Sequence, residues 1–151
     1  MTRDYYGTKR VTAWPQQAID PSTGLYETGP DGYAVKYPDG YVSWSPKDVF
    51  EKAYQPITAM SFSGALAALK AGKKVCRAGW NGKGMFLFFN PGSEVKVTEG
   101  RPLAASFPVG TECKMLPYIM MKTAALDLQF VPWLASQTDI LADDWMIIGE
   151  E

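Results

Sequence analysis

Apolar side chains along this chain gather in short runs, and in two places they recur at helical spacing instead. In the first third, Thr8 to Trp14 reads as a strand, and Tyr33-Ala34-Val35-Lys36-Tyr37 and Tyr41-Val42-Ser43-Trp44 are aromatic and β-branched runs. They flank Pro38-Asp39-Gly40, which is turn chemistry, so a hairpin is predicted. The polar stretch Gln16 to Gly32, with Pro21, Gly24, Gly29 and Pro30, predicts a long loop. After Trp44 the spacing changes. Ser45 stands at a cap position, Pro46 at the first helical position and Asp48 where a carboxylate reaches back. Val49, Phe50, Ala53 and Tyr54 then form one face of a short helix, completing a β-β-β-α unit.

A proline in Gln55-Pro56-Ile57-Thr58-Ala59 closes that unit, and a new start signal follows it. The predicted division is a small module over residues 1–57 and a second domain over 60–151. The second opens with Ser61-Phe62-Ser63, places Phe62, Leu66 and Leu69 on one helical face and stops at Gly72. Strands are predicted over Lys74 to Arg77, Met85 to Asn90, Glu94 to Val97, Glu112 to Met115, Tyr118 to Lys122 and Asp144 to Ile148. The fold class expected is α+β: one amphipathic helix packed on an antiparallel sheet, preceded by the small β-β-β-α module.

Composition narrows the chemistry. Fifteen basic residues against sixteen acidic ones leave a net charge of −1, so no global field draws the chain onto a nucleic-acid polymer or an acidic membrane. No apolar run approaches membrane-spanning length and the start lacks a signal-peptide stretch, which suggests that the protein stays in the cytoplasm where it is made. Cys76 and Cys113 have neither zinc-type nor disulfide spacing, and two buried thiols are expected. The chain contains no histidine, which removes Ser-His, Cys-His and His-ligated metal mechanisms. Carboxylates and lysines could still do chemistry.

Two segments carry more functional groups than a turn needs. In Arg77-Ala78-Gly79-Trp80-Asn81-Gly82-Lys83-Gly84-Met85, three glycines free the backbone while an aromatic, an amide and two cations stand among them. Trp80 could stack on a base with Asn81 on its polar edge. The same residues also suit a hairpin whose Trp80 folds back onto its own sheet. The second segment runs from Val131 to Trp145. Ser136 followed by Asp139 is a helix-start signature beside Trp133, where an anion or ribose hydroxyl could dock. It also reads as a capped helix with Trp133 and Trp145 as core anchors. Asp143-Asp144 is most simply a solvated turn, although paired carboxylates keep a metal-dependent phosphodiesterase using Asp139, Asp143 or Asp144 in view.

The stretch from Met60 to Ile148 resembles the phage-encoded Thoeris anti-defence family of molecular sponges. The resemblance rests on Met60-Ser61-Phe62, Ala65-Leu66, Leu69 to Val75, Arg77 to Phe86, Met121-Lys122-Thr123-Ala124 and Pro132 to Asp139. It implies a small α+β protein that assembles into a homotetramer and holds cyclic ADP-ribose isomers intact between subunits, so that no downstream effector is activated. The ligand would be a glycocyclic ADP-ribose or a related cyclic nucleotide, with the cyclic dinucleotides of CBASS a related possibility. By position the resemblance makes Trp80 and Trp133 the rings that sandwich the purine, with Asn81, Lys122, Ser136, Thr138 and Asp139 as further contacts. It implies no catalytic residue, no metal and no cofactor, and a place in the host bacterial cytoplasm. The chain departs from the family pattern between Asn90 and Leu116, and at Ala125 to Phe130, where a short polar turn is expected. Gly32 to Tyr54 resembles a small phage module of unknown role, which leaves open an adaptor that binds a partner chain through this aromatic unit.

Overall fold

The computed structural model describes residues 2–19, 22, 24, 29–80 and 82–149. The chain forms two compact units, Met1–Pro56 and Ile57–Glu151. In the first, strands β1 (Thr12–Pro15), β2 (Gly32–Lys36) and β3 (Val42–Pro46) form an antiparallel sheet in that order, followed by helix α1 (Lys47–Ala53). The hairpin forms at its expected place: Tyr37 N–H donates to Tyr41 O at 2.8 Å, and Gly40 takes φ +88°, which a side chain would resist. Alternation puts Tyr33 and Val35 on the helix side, where the Tyr33 ring stacks on Phe50 at 4.4 Å and Phe50 on Tyr54 at 4.9 Å.

Three expectations for this unit need correction. The first strand begins at Thr12 rather than Thr8. Ser45 does not cap α1: Gly32 pairs with Pro46, so the ladder carries β3 through both residues and the helix starts at Lys47 with no side-chain cap. The expected Gln16–Gly32 loop lies partly outside the described residues. At its near end Gln16 N–H donates to Gly32 O and Ala18 N–H to Pro30 O, both at 2.9 Å, so the β1–β2 ladder continues into it.

The second unit is a five-stranded antiparallel sheet covered on one face by helix α2 (Phe62–Lys70). Its strands are β4 (Lys74–Arg77), β5 (Phe86–Asn90), β8 (Tyr118–Lys122), β9 (Phe130–Pro132) and β10 (Trp145–Ile148), in the order β10-β4-β5-β8-β9. Helix α2 starts after Ser61 and stops at Gly72, whose φ of +80° lets Lys73 N–H reach Ala68 O at 3.0 Å. Its buried stripe is Ala65, Ala68 and Leu69. Small side chains at the first two positions bring the helix close to Val75, Leu87 and Trp145, each fully buried.

Strands β6 (Ser93–Lys96) and β7 (Glu112–Met115) extend the β5–β8 hairpin in one unbroken register. The ladder breaks only where Pro91 and Gly92 fall opposite Pro117 and Leu116, because proline has no N–H to give. Gly92 sits at φ +80°, and a Cβ there would stand 2.3 Å from Met115 O, so the joint tolerates only glycine. The expected polar turn before Phe130 instead carries exposed Leu126 and Leu128 and leads into β9. Cys76 is half-buried and Cys113 exposed, against the expectation of two buried thiols.

Candidate ligand-binding site

The two segments singled out in the sequence meet at the end of β4. Antiparallel pairing sets Trp145, the first residue of β10, opposite Arg77, the last of β4. The glycine-rich turn leaves from Arg77, and helix α3 (Gln137–Ile140) immediately precedes β10. Ser136 caps α3 as the sequence indicates, its Oγ accepting from Asp139 N at 3.1 Å. The same hydroxyl donates to Asp139 Oδ2 at 2.6 Å, so the Thr138 hydroxyl, 2.8 Å away, donates to Ser136.

At the centre lies an ion-paired network that local sequence reading does not reveal. Arg77 Nε donates to Asp144 Oδ1 at 2.7 Å and its Nη1 to Asp139 Oδ1 at 2.9 Å. Asp144 Oδ2 accepts Gly79 N–H at 2.8 Å, and Asp139 Oδ1 also accepts the Trp80 indole N–H at 3.2 Å. Asp144 is therefore no solvated turn residue, which corrects the sequence reading. The guanidinium beside it holds the Asp144 carboxyl below the usual carboxylate range. Burial pushes the Asp139 carboxyl up, but hydrogen bonds from Ser136, Arg77 and Trp80 outweigh it and leave the group lowered. Arg77 is correspondingly raised by its bonds to the two carboxylates.

Beneath this network, Trp145 is 0% exposed and its indole N–H donates to Asp139 O at 2.9 Å. Trp80 meets it edge-on at 5.4 Å and 76°, and Trp133 at 6.0 Å and 83°, while Phe62 tilts against both Trp145 and Trp133. Trp80 and Trp133 are half-buried. They rest on the core by one edge and keep surface open, which is neither of the two extremes that the sequence allowed.

Of the seven residues proposed from sequence, Trp80, Ser136, Thr138 and Asp139 come together directly, and Trp133 joins them through Trp145. Lys122 does not enter the network. It pairs with Phe86 and Phe130, on the sheet face turned away from α2, and its Nζ donates to Ala125 O at 3.2 Å. Asn81 lies outside the described residues. Arg77, Asp144 and Trp145 are participants that the ligand-contact set proposed from sequence did not include, although Trp145 is the core anchor that one sequence reading allowed. Arg77 stands 62 and 67 positions from its two carboxylates, and no periodic signal spans that gap.

Fold and site together define a small α+β domain that presents half-exposed indoles beside a polar network in which one guanidinium bridges two carboxylates. Residues 60–148 match the model of the Thoeris anti-defense 2-like domain, within the second unit. Thoeris anti-defense 2 of Bacillus phage SP01 is 42% identical over 97 residues, covering 61% of this chain and 98% of that protein. The chain belongs to the Thoeris anti-defense 2-like family.

Proposed function

We propose that this protein acts in Thoeris anti-defence by binding a cyclic ADP-ribose-type messenger in the host cytoplasm and withholding it, chemically intact, from its effector. The observation that carries the reading is the pair of half-buried indoles, Trp80 and Trp133, seated on Trp145 within the family-matched segment. A purine stacked on such a ring gains about 1–3 kcal/mol without any base-specific contact. Thr138, exposed beside the cap, offers hydroxyl chemistry for a ribose. The working form is a homo-oligomer, a tetramer by resemblance, in which neighbouring subunits complete the pocket.

Two features favour capture over cleavage. With no histidine in the chain, acid–base work would fall to groups such as Asp139 and Asp144. Hydrogen bonds, from Ser136, Arg77 and Trp80 to the first and chiefly from Arg77 to the second, lower both carboxyls and leave them weaker bases. A phosphodiesterase using these carboxylates would need a metal to displace that guanidinium. The adaptor reading draws on the first unit, where Tyr37, Tyr41 and Lys9 line an open groove of about 740 Å³, but the family match lies elsewhere in the chain.

The test is to incubate the protein with glycocyclic ADP-ribose, denature it by heat and analyse the supernatant by liquid chromatography. Intact ligand returned in proportion to protein is expected. Linear ADP-ribose released in more than stoichiometric amount would place the protein among enzymes.

A further inference from the structure

We infer that Asp139 is a positioning residue for the Trp80 ring, and that Arg77 and Asp144 form the clamp that sets it. A tryptophan in a turn containing Gly79, Gly82 and Gly84 receives no ladder bonds from neighbouring strands, and Gly84 itself sits at φ +70°. A stacking platform that had to be ordered on each binding event would bind weakly, so the ring needs to be held beforehand. Three contacts hold it: Trp80 N–H to Arg77 O at 3.3 Å, Trp80 Nε1 to Asp139 Oδ1 at 3.2 Å, and the edge contact with Trp145.

The clamp has two arms. Asp144 Oδ1 and Asp139 Oδ1 grip opposite parts of the guanidinium, the Nε and the Nη1. Each carboxylate then reaches one further group of the turn, Asp144 through Oδ2 to Gly79 N–H and Asp139 through Oδ1 to the Trp80 indole. The backbone at 79 and the side chain at 80 therefore hang from two acidic residues, Asp139 within α3 and Asp144 just before β10. Gly79 supplies a separate sign of this fit, since a Cβ there would stand 2.9 Å from Asp144 Oδ2 and press on the clamp. Asp139 Oδ2 is taken by Ser136 Oγ and Oδ1 by two donors. A ligand hydroxyl would have to compete with bonds already made, so Asp139 serves the ligand through Trp80 rather than by touching it.

The consequence for binding rests on the reading of Trp80 as a ligand-facing ring. The geometry is tested without that reading, by following the Trp80 indole N–H in ¹⁵N spectra of the full chain. In Asp139→Ala its hydrogen exchange should quicken by at least about tenfold, as loss of one such bond allows. Asp139→Asn should restore protection, because an amide oxygen can accept both donors while its nitrogen turns to Ser136. Unchanged exchange in Asp139→Ala would overturn the inference. Should Asp139→Ala not fold, the wild-type indole resonance carries the test: it should move as one carboxyl protonates in acid while the fold persists, and an indole blind to that titration would equally overturn it.

Affinity for glycocyclic ADP-ribose then separates positioning from contact. Asp139→Ala should weaken binding about tenfold in the wild-type background and less than about twofold when Trp80 is already phenylalanine, because the bond it removes is absent there. Equal loss in both backgrounds would mean that Asp139 touches the ligand, overturning the inference. A wild-type protein that binds no such ligand would sink the proposed function while leaving the indole test decisive.

Discussion

Trp80 meets Trp145 edge-on, with ring centroids 5.4 Å apart and planes at 76°, so a half-exposed indole in a turn stands on a fully buried one in a strand. The two tryptophans should therefore respond differently to truncation. Trp145→Ala should lower stability by about 3–5 kcal/mol, as removal of a buried large aromatic does. Trp80→Ala should lower it by only about 1 kcal/mol, near the value of an aromatic pair, and weaken ligand binding roughly ten- to a hundredfold. Urea unfolding and ligand titration on the same preparations check this. Equal destabilisation by both would mark Trp80 as a core anchor.

Acid should weaken the fold through the clamp. Asp139 and Asp144 titrate lower in the folded chain than in the unfolded one, where an aspartate lies at about 3.9. Between those values the folded state binds fewer protons, so lowering the pH favours unfolding. Their contribution is present above about pH 5 and is lost as pH falls through the lowered folded values. Thermal melts between about pH 7 and about pH 3 should show this acid limb, and Arg77→Gln should make it shallower while lowering the neutral midpoint. A limb of unchanged steepness in that variant would assign the acid sensitivity to other groups.

The joint of the long hairpin depends on Gly92. Gly92→Ala adds a Cβ at 2.3 Å from Met115 O in a left-handed backbone conformation. Gly100→Ala imposes a similar conformation, φ +74°, with nothing within 4 Å. The first should cost more than the second, by about 1–3 kcal/mol, because strain from the clash adds to the common backbone penalty. Denaturation midpoints of the two variants decide it, and equal losses would show that the strands part freely at the proline pair.

Residues 57–151 should fold and bind ligand alone. They form one compact unit containing the whole matched segment, the clamp, Trp145 and the two tryptophans that rest on it. A chain cut before Ile57 should melt cooperatively and hold glycocyclic ADP-ribose within about threefold of the full protein, a difference of under about 1 kcal/mol. Loss of binding in a folded truncation would give the first unit a part in the pocket.

Much of this architecture is legible in local chemistry. The stop at Gly72, the hairpin turn ending at Gly40 and the cap at Ser136 each depend on residues within one turn of one another, and strands β7 and β8 span the bounds expected of them, Glu112–Met115 and Tyr118–Lys122. Strand β9 escapes such a reading because three residues ending in proline carry too little period to separate strand from loop. Ser45 misleads for the opposite reason. Its cap signal is genuine locally, yet pairing with β2 offers the backbone more bonds as a strand.

By itself the sequence determined the α+β class, the short-range elements, the lack of histidine chemistry and the two segments that carry the aromatic and polar groups of the site. Only the tertiary structure decided that Arg77 joins those segments through Asp139 and Asp144, that Trp80 and Trp133 share Trp145 as a support, and that Lys122 lies on the other sheet face. The physical reason is range. Turns and caps are settled by bonds within a few residues, whereas an ion pair across 62 or 67 positions exists only once strand register has brought β4 and β10 side by side.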